Sequence, residues 1–413
     1  MTATEFEAVP AVGTDAERTA FDVVVMKFGG TSVSDPERIL AVAGRLAAAR
    51  DAGHRVVGVL SAMGHTTDGL LALAGEVSQH PVERELDMLV SVGERVSCAL
   101  AAMALIDLGV DAVSLTGSQA GIVTDTSHGR AKIVEVRARR IHEALDRGAI
   151  VLVAGFQGVS TEAEVTTLGR GGSDTTAVAL ASALGAGVCE IYTDVEGVFT
   201  ADPRLVPGAR RLDVVTYDEM LELSASGARV LQLRSVEFAR NHAVDLHVRS
   251  SFSDGKGTWV TNEESERVLE KAMISGVAHT LDETVYRVEG VAAATLFTTL
   301  ADARVNVDTI VQAGPEIVLS VQDDDSAATA HALDELGTSW TADAELGKVS
   351  IVGAGMRSHP GVAGTTFATL AANGVEPVVV TTSPIKITCF VRREDVERAV
   401  VALHDAFGLE RAG

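Results

Sequence analysis

The sequence is short of what several protein classes require. Only three cysteines occur, Cys98, Cys189 and Cys389, and they lie far apart. That excludes a paired-cysteine zinc spacing and an even-numbered disulfide framework, and it points to a reducing, cytoplasmic setting. Basic residues are scarce, with 34 Lys and Arg against 57 Asp and Glu, a formal charge of -23 and a pI near 4.8. Such a surface repels a phosphate backbone, so nucleic acid is not an expected partner. Long apolar runs are missing: the richest, residues 177–188, is short and broken by Ser and Gly, below the roughly eighteen apolar residues that suggest a membrane span. No membrane association is expected. The N-terminus mixes Glu, Asp, Pro and Gly without the basic start and apolar run of a signal peptide, so residues 1–20 are expected to be a disordered extension. What is present is ample apolar material, 46% of 413 residues, enough for buried cores and for two or more domains.

From residue 22 to about 250, apolar runs of strand length alternate with longer segments of helical period. The candidate strands are Val23-Val-Val-Met26, Arg55-Val-Val-Gly-Val-Leu60, Ala149-Ile-Val-Leu-Val-Ala154, Cys189-Glu-Ile-Tyr192 and Asp245-Leu-His-Val-Arg249. Ala-, Leu- and Glu-rich helical stretches such as residues 36–52 and 82–109 lie between them. Continuous apolar strands alternating with helices predict an α/β sandwich, a mainly parallel sheet covered on both faces, with the site at the C-terminal strand ends. Residues 251–272 are polar, contain Gly and lack a period, and read as a linker. Beyond them, Gly290-Val-Ala-Ala-Ala-Thr-Leu-Phe-Thr-Thr-Leu-Ala-Asp-Ala-Arg-Val305 resembles Gly361-Val-Ala-Gly-Thr-Thr-Phe-Ala-Thr-Leu-Ala-Ala-Asn-Gly-Val375. This weak repeat predicts two related α+β modules, over residues 273–345 and 346–413.

Four segments carry candidate chemistry. Lys27-Phe-Gly-Gly-Thr-Ser-Val33 follows the first strand; paired glycines let backbone N–H groups approach a phosphate and the lysine adds a compact charge. It lacks the P-loop spacing, and alone it equally fits a structural turn. Thr167-Leu-Gly-Arg-Gly-Gly-Ser-Asp-Thr175 opens an Ala-rich helix. Ser173 or Asp174 can cap that helix and the glycines leave its N–H groups open to an anion. A plain glycine-rich helix entry does not explain Arg170, whose planar fork suits a carboxylate. Tyr192-Thr-Asp-Val-Glu-Gly-Val-Phe-Thr-Ala-Asp-Pro-Arg204 is a strand end and turn that fits either a nucleotide or no ligand at all. Glu94, within Ser91-Val-Gly-Glu-Arg-Val96, taken alone reads as solvent-facing or paired with Arg95.

Taken together and in order, these segments resemble the aspartate kinases of the amino-acid kinase family over nearly all of the chain after residue 20. The resemblance also rests on Ser61-Ala-Met-Gly with Thr66-Thr67, Gly93-Glu-Arg, Gly117-Ser-Gln-Ala-Gly and Gly155-Phe-Gln-Gly. It implies the amino-acid kinase fold, a three-layer αβα sandwich over residues 21–250, followed by two ferredoxin-like ACT domains. It further implies transfer of a phosphoryl group from ATP, with Mg2+, to L-aspartate, and a homo-oligomer built through the ACT domains, in some relatives with a separate regulatory chain from an internal start such as Met273. The acceptor carboxylate, with an ordinary pKa of about 3.9, needs no general base. Positioning and charge neutralisation then become the main work. By resemblance Lys27 stabilises the transferring group and Asp174 orients it or organises the magnesium nucleotide. Arg170 clamps a substrate carboxylate and Glu94 meets the ammonium, with Ser61, Thr67, Gly171, Gly172 and Ser173 around them. ATP falls to Lys27, Phe28, Gly29, Gly30, Thr193, Asp194, Phe199, Arg204 and Arg211, the last standing where the family usually has lysine. No metal-ligating cluster is expected.

The regulatory half departs from the family. The stretch Val288-Glu-Gly-Val-Ala-Ala lacks a Pro-Gly turn, Gln312-Ala-Gly-Pro-Glu316 is a short connection, and Glu376-Pro377 stands where relatives commonly have Asn-Ile. Pro377 has no N–H and Glu376 adds a negative charge, so weakened feedback by lysine and threonine is expected. Two other readings stay open: another amino-acid kinase, with glutamate the nearest competitor at about 1–3 kcal/mol per methylene, and a non-catalytic amino-acid sensor.

Overall fold

The computed structural model describes residues 22–262, 274–359 and 361–410. The expected extension at residues 1–20 and the internal start at Met273 lie outside the described residues. The chain forms two compact units that interleave in sequence. Among the described residues, unit one takes 22–198, 211–221 and 229–262, and unit two takes 199–210, 222–228, 274–359 and 361–410.

Among the described residues the first unit holds twelve strands: β1 (Val23–Phe28), β2 (Arg55–Leu60), β3 (Ala112–Leu115), β4 (Ile122–Thr124), β5 (Ile133–Val136), β6 (Ile150–Ala154), β7 (Gln157–Ser160), β8 (Val165–Thr167), β9 (Val188–Thr193), β10 (Val214–Thr216), β11 (Asp245–Ser250) and β12 (Thr258–Thr261). Eight of them form one sheet in the order β10-β12-β11-β9-β1-β2-β6-β3, parallel except where β12 runs against β11. Each residue of β1 is buried, as expected for a strand covered on both faces. Helix Pro36–Asp51 starts where Asp35 accepts the Arg38 N–H at 3.0 Å and Pro36 takes the first position, both favourable at a helix start. A second sheet, β5-β4-β7-β8, lies within the same unit.

Two expectations need correction. Residues 251–272 are not all linker, because Thr258–Thr261 is a strand inside the eight-stranded sheet. Polar Thr258 is buried there because its hydroxyl donates to Leu212 O at 2.6 Å, and Trp259 stacks on His247 with centroids 4.0 Å apart. The helical stretch at 82–109 is broken at Ser91 into Glu83–Val90 and Val92–Asp107. By length and composition alone this stretch is apolar enough to cross a membrane. It nevertheless carries buried Asp87 and Glu94 and packs within the unit, which identifies it as a core helix.

The second unit holds β13 (Gly276–Thr280), β14 (Glu283–Glu289), β15 (Val307–Ala313), β16 (Glu316–Gln322), β17 (Ser339–Asp343), β18 (Leu346–Val352), β19 (Val379–Ser383) and β20 (Lys386–Arg392). They form two antiparallel sheets, β15-β16-β14-β17 and β13-β18-β20-β19. The first module is a complete βαββαβ unit. In the second, β13 takes the edge position that β17 has in the first, so a strand from before the first module completes the sheet of the second. The repeated segments form equivalent helices, Ala293–Asp302 and Val362–Ala372.

Candidate active site

β1 lies between β2 and β9, and strand alternation puts Val25 and Lys27 on one face and Met26 and Phe28 on the other. Lys27 is 9% exposed, and its Nζ stands 2.5 Å from Asp174 Oδ1, in the first turn of helix Gly172–Leu184. That buried oxygen has no aligned hydrogen-bond donor, so the ammonium meets it as a charge. The chain then turns through the glycine pair. Gly29 N donates to Tyr192 O at 3.3 Å and Gly64 N donates to Gly30 O at 3.0 Å. A Cβ on Gly30 would stand 3.1 Å from Ala62 O and 3.2 Å from Gly64 O, and one on Gly29 would stand 3.5 Å from Lys27 Nζ. The first glycine keeps the ammonium accessible, and the second lets the loop after β2 approach.

That loop leads to Glu94. A Cβ on Gly93 would lie 2.7 Å from Ala62 Cβ, so Ala62 packs between Gly30 and the helix carrying Glu94. Glu94 is 3% exposed, and its Oε2 is buried with no hydrogen-bond partner. Burial pushes its carboxyl up to about 7, against the pull of its own and the Ala62 backbone amides. Glu94 is neither solvent-facing nor hydrogen-bonded to Arg95. Arg95 donates instead to Gln157 Oε1 at 3.3 Å and Ser91 Oγ at 3.2 Å. Ser61 N donates to Phe28 O at 3.1 Å, and Thr67 lies in the first turn of helix Thr66–Val77; both are partly exposed.

Arg170 sits exposed on the turn into helix Gly172–Leu184. The base of this turn is held from two sides. Buried Asp87 accepts from Thr167 Oγ1 at 2.5 Å and from Gly129 N at 3.1 Å, and lies 2.7 Å from His128 Nδ1. Arg234 donates to Leu168 O at 2.9 Å and Ala131 O at 2.8 Å. The expected side-chain cap is absent. The N-cap is Gly171 at φ 69° without a capping side chain, and Ser173 and Asp174 are buried inside the first turn. A Cβ on Gly171 would overlap Gln232 Cγ at 1.8 Å, so no side chain fits that position. Ser173 packs against Gly155, where a Cβ would stand 2.7 Å from its Oγ.

The expected nucleotide residues divide. Thr193 and Asp194 lie at the end of β9 beside β1, with Thr193 Oγ1 donating to Asp194 Oδ1 at 3.1 Å. The Phe28 side chain is wholly buried and stacks on Tyr192 at 4.7 Å, which leaves only its backbone for a ligand. Arg211 is committed within the fold, donating to Gly257 O and to Asp213 Oδ1 at 2.8 Å. Phe199 and Arg204 fall in the second unit, and Arg204 Nη2 pairs with Asp202 Oδ2 at 2.6 Å.

The amino acid kinase family profile matches residues 22–250 and an ACT domain profile matches residues 349–407. The aspartokinase of Mycobacterium tuberculosis is 51% identical, over 94% of this chain and 96% of the relative. The chain belongs to the aspartokinases of the amino acid kinase family. A second aspartokinase, from Corynebacterium glutamicum, is 47% identical over 94% of this chain and 96% of its own. The structure of E. coli aspartokinase III in complex with aspartate and ADP superposes with a TM-score of 0.83 at 26% identity, covering 93% of this chain and 99% of that one. An aspartokinase is a phosphotransferase with a carboxyl acceptor, so this chain is a kinase rather than a bare sensor.

Sequence reading missed Asp87 and Arg234, which hold the Arg170 turn. For Asp87 a signal existed. Asp87, Val90 and Glu94 recur at helical spacing, so an acid there shares the face of a buried valine. For Arg234 none existed, because its partners are backbone carbonyls from distant segments.

Proposed function

We propose that the chain transfers the γ-phosphoryl group of ATP to the β-carboxylate of L-aspartate, giving 4-phospho-L-aspartate, at the strand ends around Lys27. The observation that carries this reading is the buried Lys27–Asp174 ion pair in the same unit as buried Glu94, whose Oε2 lacks a hydrogen-bond partner. Buried polar atoms are normally satisfied, and the ammonium of a zwitterionic substrate supplies the positive charge that Glu94 lacks. Lys27 and the Gly29 and Gly30 amides hold the transferring group, and Asp174 keeps the Lys27 ammonium aimed at it. Asp174 Oδ1 is taken by the Lys27 ammonium, and the second oxygen of this carboxylate would hold Mg2+, which when bound would neutralise phosphate charge. Glu94 receives the substrate ammonium, and Arg170, on a turn braced by Asp87 and Arg234, takes a substrate carboxylate. Ser61, Thr67, Gly171, Gly172 and Ser173 line this end, and Thr193 and Asp194 lie toward the nucleotide. The internal bonds of Arg211 support a role in shaping the loop.

A coupled ADP-release assay with aspartate, with glutamate and without acceptor tests the reading. Turnover with aspartate at least tenfold above glutamate is expected, about the value of one methylene. Equal or greater use of glutamate would reject the assignment.

We infer further that lysine and threonine inhibit weakly. Glu376 is exposed and Pro377 offers no N–H ahead of β19, where Val378 N is already spent on Phe390 O at 2.7 Å. Initial rates with millimolar lysine, threonine or both should fall little, and strong inhibition would sink this part. A homo-oligomer through the ACT modules fits their open sheet edges, β15 and β19.

A further inference from the structure

The last helix of the second unit, Val396–Ala406, ends in a reversal that gathers three ligand-bearing residues. Gly408 N donates to Asp405 O at 3.0 Å and Leu409 N donates to His404 O at 3.2 Å, with Gly408 at φ 63°. This is a Schellman closure, and buried Leu409 anchors it. The reversal returns Glu410 beside the last turn, where ligand atoms of His404, Asp405 and Glu410 all lie within 4.8 Å of one another. Gly208, in the segment 199–210 of the same unit, leaves the room. A Cβ there would stand 2.1 Å from Glu410 Oε1.

His404 distinguishes this place from an acidic surface patch. It is wholly buried, its Nε2 lies 2.9 Å from Thr200 Oγ1, and its Nδ1 is buried with no hydrogen-bond partner. Thr200 Oγ1 also accepts the Arg210 N–H at 2.9 Å. With Nε2–H donating to that hydroxyl, Nδ1 is left with a free lone pair, and a hydrogen bond at the other ring nitrogen is how metal-binding histidines are oriented.

We propose that His404 Nδ1, Asp405 and Glu410 bind one divalent transition-metal ion of the zinc class. One imidazole and two carboxylates suit zinc, cobalt or manganese, whereas magnesium prefers oxygen ligands alone. The ion ties the end of the last helix to the segment 199–210 through the His404–Thr200 contact. It is a different ion from the magnesium of the nucleotide, because it shares no ligand with the Lys27–Asp174 pair.

The test uses the full chain, stripped with a chelator and titrated with zinc chloride in the absence of nucleotide. One tightly held ion per chain and a raised melting temperature are expected, and cobalt chloride in its place should give visible d–d absorption. Glu410→Gln and Asp405→Asn, both at exposed positions, should each weaken zinc binding at least tenfold and remove the melting shift. Thr200→Val, which takes away the orienting hydroxyl, should weaken it by about 10–100-fold. Uptake of less than one ion per chain, or uptake and cobalt absorption unchanged in Glu410→Gln, would overturn the proposal.

Discussion

Lys27 in the first unit and Lys348 in the second are both buried ammonium groups held by carboxylates. Lys348 contacts Glu283 Oε1, Asp308 Oδ2 at 2.9 Å and Ala225 O at 3.0 Å. Glu283 in turn accepts from Ser320 Oγ at 2.9 Å and from Gln322 Nε2 at 3.3 Å. Three ammonium protons meet three acceptors, which closes the cluster. Lys27 has one carboxylate partner in Asp174, and the unit that holds it also holds Glu94 with an unpartnered buried oxygen. Burying charge is costly unless it is paired and hydrogen-bonded. A closed cluster therefore joins elements of the fold, while an open one keeps capacity for a ligand.

Substitutions at the two lysines should separate these roles. Lys27→Ala should lower kcat by about 10²–10³ or more with an unchanged far-UV spectrum; persistent ADP release would contradict the role of Lys27. Lys348→Met should instead destabilise the fold by about 3–5 kcal/mol in urea unfolding, because Glu283 is left buried and unpaired. Adding Glu283→Gln should recover part of that loss, and a Lys348→Met protein as stable as the parent would mean the cluster is not closed. A smaller effect is expected at the brace of the Arg170 turn. Asp87→Ala should cost about 1–3 kcal/mol and raise KM for aspartate more than it lowers kcat, whereas an unchanged KM would detach the brace from the site.

The smallest effect is a pH dependence. Glu94, pushed up to about 7 by burial, is protonated below that pH and must ionise to meet an ammonium. KM for aspartate should therefore fall, by up to about tenfold, between pH 6 and 8, and Glu94→Gln should flatten the profile. Because a raised carboxyl pKa favours the protonated folded state, the unliganded protein should lose stability as pH rises from 4.5 to about 7. A melting temperature flat across that window would place Glu94 in a more polar setting.

Much of the fold was legible because apolar runs and helical periods report burial directly. The strands at β1, β2, β6, β9 and β11 were readable from Val- and Ile-rich stretches. Thr258–Thr261 was not, since its burial depends on a hydroxyl bond to Leu212 O and on Trp259 meeting His247. Nor was β13, which looks like the start of the first module and pairs with β18 of the second. At the site, Lys27, the glycine pair and Asp174 were visible as motifs. Phe28 belongs to the same motif as Lys27, and Arg211 entered by resemblance alone, yet one is spent on the core and the other on a loop.

The sequence by itself determined which residue types stand at the strand ends and helix starts, because glycines, a lysine and an aspartate at fixed spacing constrain the local backbone. Only the tertiary structure decided the electrostatic state of those residues. Glu94 taken alone looked solvent-facing until burial raised its pKa, and His404, which no motif marked, meets Thr200 from a distant part of the chain. Local pattern sets the backbone, but desolvation and partnership depend on what the fold brings near, and no spacing along the chain encodes them.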